Sequence, residues 1–145
     1  MHTIPKMVIH NELMRKVQHM LTYNEFIKLK NAKWQEQKRE SKLIKMKDIG
    51  RKGHHYFLRE AWTFMVQHNL KEKVFVIERL KLIKTEHKIT HSHIHIGHIE
   101  YRIGYYIIGK NGTKKNKWTW GQYCPLIPQQ DFSKLFSKAK NEGTI

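Results

Sequence analysis

Residues 101–123, YRIGYYIIGKNGTKKNKWTWGQY, constrain the fold more than any other stretch of this chain. Two runs rich in aromatic and β-branched side chains flank a basic polar segment that carries Asn111-Gly112. That pattern predicts a strand, an exposed turn and a returning strand. Upstream, KVFVIERLKLIK begins as a buried strand at Val74 to Ile77, and its course after Glu78 is undecided. HYFLREAWTFMVQ is ambiguous. Leu58, Trp62, Met65 and Val66 suit a helix, whereas the β-prone run WTFMV suits a strand, and the strand is preferred.

The ends of the chain read as helix. In NELMRKVQHML, the residues Leu13, Met14, Val17, Met20 and Leu21 form one stripe at helical spacing. Thr22 and Glu25 fit a capping box that opens a second helix carrying Phe26, Ile27 and Trp34. Its charged continuation, KNAKWQEQKRESKLIKMKD, reads as solvated helix or connector, and Gly50 and Gly53 mark a turn. After WTWGQY, Pro125 and Pro128 exclude a continuing central strand. Asp131 is placed as an N-cap, and Phe132, Leu135, Phe136 and Ala139 follow at i, i+3, i+4 and i+7. Gly143 stands where that helix should stop. The expectation is one α+β domain over residues 1–145, with a helical segment at 1–48 and a sheet plus C-terminal helix at 54–145. The sheet should be mostly antiparallel, with the last helix packed on it. Trp118 and Trp120 are expected in the core beneath that helix; the alternative is a nucleic-acid platform on which the two rings stack on bases while Lys110, Lys114, Lys115 and Lys117 hold phosphates.

The stretch THSHIHIGHIEYR, residues 90–102, holds four histidines interleaved with isoleucines. Strand side chains alternate between two faces. An uninterrupted strand would run the polar set into the apolar set, and one extra residue at Gly97 repairs the phase. Ile94, Ile96, Ile99, Tyr101 and Ile103 then share an apolar face, opposite His93, His95, His98, Glu100 and Arg102. A bulge or strand break at Gly97 is therefore predicted. The polar stripe is read first as the solvated side of a half-buried strand. The sharper alternative is a metal or general-base site at His93, His95 and Glu100, since two histidines at i and i+2 can point at one ion. Their spacing is similar to the first motif of the cupins, but the glycine before the histidines and a second histidine motif are missing. Likewise RIGYYIIGKNG packs letters of the GIY-YIG nucleases into one strand without their downstream arginine and glutamate, so the match is rejected. Glu78 follows an apolar strand as nuclease acids do, yet the lysine those sites place two residues on is three on, at Lys81. No phosphate-loop spacing is present.

Charge then selects the partner class. The chain has 28 Lys+Arg against 12 Asp+Glu, a formal +16. The excess is spread, with 11 basic and 5 acidic residues up to position 50, and 17 and 7 after it. Such a surface is most simply offset by a polyanion, because each neutralised phosphate releases condensed counterions. Nucleic acid, DNA or RNA, is the expected partner, with no cofactor. The expectation is a non-enzymatic chain, such as a subunit of a larger nucleoprotein or phage-defence assembly. The candidate contacts are Arg51, Lys52, Arg102, Lys110, Lys114, Lys115 and Lys117. A second basic cluster, which includes Lys28, Lys30, Lys33 and Lys38, reads by default as a solvated helix face. The alternatives are a nuclease using a divalent metal at His93, His95 and Glu100, and a basic accessory or inhibitor protein that meets an acidic protein. A single cysteine, Cys124, allows no intramolecular disulfide, and no signal-peptide or membrane-spanning run is seen. A cytoplasmic location is expected.

Overall fold

The computed structural model describes residues 21–47, 49–50, 52–86 and 95–145. The expected stripe from Leu13 to Met20 lies outside them, as do Arg51 and His93. Helix α1 (Tyr23–Arg39) leads into strand β1 (Leu43–Met46). Strands β2 (His55–Gln67), β3 (Leu70–Thr85) and β4 (Ile99–Ile108) follow. A 3₁₀ turn (Gly112–Lys114) precedes β5 (Trp118–Trp120), and α2 (Gln129–Asn141) closes the order. The five strands form one antiparallel sheet in the order β1-β2-β3-β4-β5. The α+β arrangement is as expected, with α2 packed on the sheet.

Strand β3 explains why the sheet carries a helix on each face. Val74 and Val76 point to one side, into a core with Phe26, Trp34, Phe64 and Tyr106. Phe75 and Ile77 point to the other, against Leu135 and Ala139 of α2. A strand covered on both faces needs a continuous apolar run, which VFVI supplies. Beyond it the sequence alternates. Glu78, Leu80 and Leu82 continue inward and are buried, while Arg79, Lys81 and Ile83 are partly exposed. The undecided second half is thus an ordinary half-buried continuation of the same strand. Strand β2 hides its period behind an extra residue. Arg59 pairs with Leu80 and Ala61 with Arg79, which leaves Glu60 unpaired in a bulge. Phe57 and Arg59 therefore share a face with Trp62, Phe64 and Val66, a spacing that resembles neither helix nor regular strand.

The helix ends are set locally. At α1, Thr22 Oγ1 accepts from the Glu25 amide and Glu25 Oε1 accepts from the Thr22 amide, both at 3.3 Å. The expected capping box is present. The expected helical segment to residue 48 is not. Helix α1 stops at Arg39, and Leu43–Met46 pairs with β2. The stop is a Schellman arrangement, with Lys42 N–H bonded to Gln37 O at 2.9 Å and Ser41 N–H to Lys38 O at 3.0 Å. Its left-handed residue is Ser41, at φ 53°, where glycine is usual, so no glycine signalled the end. Helix α2 ends the same way on the expected Gly143, at φ 77°. The Thr144 amide reaches Ala139 O at 2.9 Å, and the Thr144 and Thr63 hydroxyls share a buried 2.8 Å bond. Its start differs from expectation. Pro128 is the N-cap, and Asp131 sits within the first turn. There it accepts from the His68 amide at 3.1 Å and pairs with the His68 ring at 2.9 Å, which ties α2 to the β2–β3 turn. Burial works to raise the Asp131 carboxyl, but the His68 hydrogen bonds and charge outweigh it, and the net shift is downward.

Gly97 adopts φ 92° in a tight turn in which His98 N–H bonds to His95 O at 2.9 Å. It is a break ahead of β4 rather than a bulge within a strand. The face assignment after it holds, but the burial is inverted. Tyr101 and Ile103 are exposed, while Arg102 turns inward to a fully buried Glu78. Trp118 and Trp120 are half-buried rather than core, and they pack against the cluster that holds Phe26 and Trp34 of α1, not under α2.

Candidate nucleic-acid interface

Helix α1 lays Phe26, Leu29, Lys30 and Lys33 along one side, at i, i+3, i+4 and i+7. The end of the 109–117 loop brings Lys117, and strand β5 brings Trp118, opposite them. Between the two lies a cleft of about 250 Å³, with Leu21 in its lining. The Phe26 and Trp118 rings stack at 4.6 Å with planes 13° apart. The Trp118 indole N–H donates to Leu21 O at 3.0 Å, which fixes the ring against the start of α1.

Three ammonium groups, Lys30, Lys33 and Lys117, flank this cleft, and among the described residues no carboxylate lines it. Lys30 is the distinctive one. Its Nζ lies 4.8 Å from the Tyr106 ring centroid and about 6 Å from those of Phe26 and Trp34. Aromatic faces attract a cation but do not replace an anion. Burial pushes the Lys30 ammonium below its ordinary value. Repulsion from Lys33 and Arg59 adds to this, and Glu78 partly offsets it.

The loop 109–117 delivers Lys117 to the cleft. Gly109 N–H bonds to Lys117 O at 3.1 Å and Asn116 N–H to Gly109 O at 2.9 Å. A Cβ at Gly109 would sit 2.2 Å from Lys114 O, so this close crossing requires glycine. Lys114 and Lys115 stand exposed on the turn. Lys110 is ion-paired with Glu72. Lys52 is exposed in a separate turn before β2.

Arg102 has a different occupation. Its Nε and Nη2 donate to Glu78 at 2.5 and 2.9 Å, and Arg59 Nε donates to the same carboxylate at 2.8 Å. Each guanidinium also covers an indole, Arg59 at 3.7 Å from Trp34 and Arg102 at 4.8 Å from Trp120. Gly104 makes the second contact possible, since a Cβ there would meet the Trp120 ring at 2.3 Å. Both Glu78 oxygens are thus engaged by arginine. Of the histidine stripe, His95 is exposed with its ring 5.8 Å from that of His98, and His98 Nε2 lies 3.4 Å from Glu100. Among the described residues, no group of three His, Cys, Asp or Glu is placed to hold a metal ion. Nor is any of their helices long and apolar enough to cross a membrane.

Of the expected contacts, the structure brings Lys117 to the cleft beside Lys30 and Lys33, which sequence reasoning assigned to a solvated helix face. The i, i+3, i+4, i+7 mixture of aromatic, aliphatic and basic residues was a visible signal. Its opposite wall was not, because Leu21 and Trp118 are 97 residues apart. No family model, curated protein or solved structure matches this chain.

Proposed function

We propose that this protein binds nucleic acid, chiefly through the phosphate backbone, on the surface formed by α1 and the loop before β5. One observation carries the reading. Lys30, Lys33 and Lys117 gather around a cleft that no carboxylate of the described residues lines, in a chain of formal charge +16. Lys114 and Lys115 extend the same positive surface from the adjoining turn. Lys110, already paired with Glu72, contributes less, and Arg102, held by Glu78, serves the fold first. The reaction class is binding without covalent chemistry. Phosphate contacts of this kind give affinity and register without reading sequence.

The test is a titration of the chain against short DNA and RNA at several salt concentrations. Affinity should fall log-linearly with salt, with a slope near −0.7 to −0.9 per phosphate engaged. Lys33→Glu/Lys117→Glu should weaken every oligonucleotide alike and flatten the slope by about two contacts. Absence of binding in dilute salt would refute the reading.

A further inference from the structure

We infer that the cleft between α1 and β5 receives an unpaired nucleobase, so that the ligand of this surface is single-stranded rather than duplex nucleic acid. The inference rests on the phosphate-binding reading above and adds what the cleft itself requires. A phosphate needs cations and gains nothing from an apolar wall. Yet the exposed part of the lining includes Leu29, 44% exposed on α1, and the half-buried Trp118, set over the buried Leu21 and Phe26. A concavity that pairs an apolar floor with ammonium groups suits a ligand with a flat apolar body and an anionic edge. A base joined to its phosphates is such a ligand.

Size supports one base. The cleft, at about 250 Å³, falls below the 300–1,000 Å³ typical of pockets for drug-sized ligands, and leaves room for one ring system. Lys30 gives an independent reason for an anion at its edge. It is partly buried over three rings and makes no hydrogen bond or ion pair to any described residue. A cation partly withdrawn from water, its loss only partly offset by Glu78, is stabilised by any anion that docks beside it. Duplex geometry cannot satisfy both halves of the site. Its phosphates can reach lysines, but its bases stay stacked inside unless one is flipped out at a cost of a few kcal/mol. A single strand offers base and phosphates together, and pairing lysines with aromatic surface is how sequence-tolerant single-strand sites work.

The experiment uses the full chain and fluorescence anisotropy in dilute salt. The labelled probes are an oligothymidine of about twelve nucleotides, an abasic strand of equal length and a duplex of equal length. Oligothymidine should bind roughly tenfold tighter than either of the others. Leu29→Ser, an exposed helix position, should narrow that gap, whereas Lys33→Glu should weaken all three probes. Equal affinity for abasic and base-bearing strands would overturn the inference and leave the phosphate reading standing. Failure of all three probes to bind would overturn both. Displacement of the oligothymidine by polyglutamate as readily as by unlabelled strand of equal charge would assign the surface to an acidic protein instead.

Discussion

Replacing Glu78 by alanine should destabilise the fold by about 3 kcal/mol, and the structure shows why. The carboxylate is fully buried and accepts from Arg59 Nε and from two nitrogens of Arg102. Removing it leaves two guanidinium groups facing each other without a counter-charge. Breaking a buried ion pair from one side typically costs about 3–5 kcal/mol. Arg59 cannot escape, with its side chain only 10% exposed beneath Trp34, but Arg102, at 33%, can swing toward water. That relief puts the cost at the lower end. For a chain of this size, 3 kcal/mol corresponds to a fall in Tm of about 6–12 °C, or of about 1.5 M in the urea midpoint at an m of about 2 kcal/mol/M. Tryptophan fluorescence at neutral pH is a direct assay, because Trp34 and Trp120 lie against the two arginines. The companion variant Arg59→Met/Glu78→Leu/Arg102→Leu should come within about 1 kcal/mol of wild type, since apolar replacement of a whole buried cluster removes its desolvation cost too. A Glu78→Ala cost below about 1 kcal/mol would refute this reasoning, as would a triple variant as unstable as the sum of its parts.

Two further outcomes are expected. Glu86 accepts from the Tyr56 hydroxyl at 2.8 Å and from the His54 amide and ring at 2.9 and 3.1 Å, and these bonds hold its carboxyl down at about 2, from an ordinary 4.5. Because its folded value is depressed, its contribution is fully present above about pH 4.5 and disappears as pH falls through about 2. The difference in urea midpoint between wild type and Glu86→Gln should therefore close across that window, and a constant difference would contradict it. Ser41→Gly should stabilise the protein by about 1 kcal/mol, because Ser41 holds φ 53° at the end of α1 and glycine adopts that conformation without the Cβ penalty. A lower urea midpoint for Ser41→Gly would show that the serine side chain serves another purpose.

How much of this could be read in advance follows the range of the interactions. The capping box at Thr22 and Glu25, the Gly143 stop, and the strands 101–108 and 118–120 were legible, because each depends on residues a few positions apart. The strand at 43–46 was missed. LIKM carries no pattern of its own, and its pairing with Leu58 to His55 comes from the neighbour. The histidine stripe drew attention by composition, whereas Lys30 and Lys33 read only as part of a solvated basic helix face, although they line the cleft.

By itself the sequence determined that the chain is strongly basic, that its middle is sheet and its last element a helix, and where several elements start or stop. These follow from backbone preference and periodicity, which act over one or two turns. Only the tertiary structure decided which helix covers Trp118 and Trp120, that Arg102 spends its charge on Glu78, and that Lys117 meets Lys30 and Lys33 across a cleft. Those outcomes depend on which faces of distant segments meet. A charged side chain reads the same in sequence whether it faces water, a buried carboxylate or an open cleft, and packing alone chooses among the three.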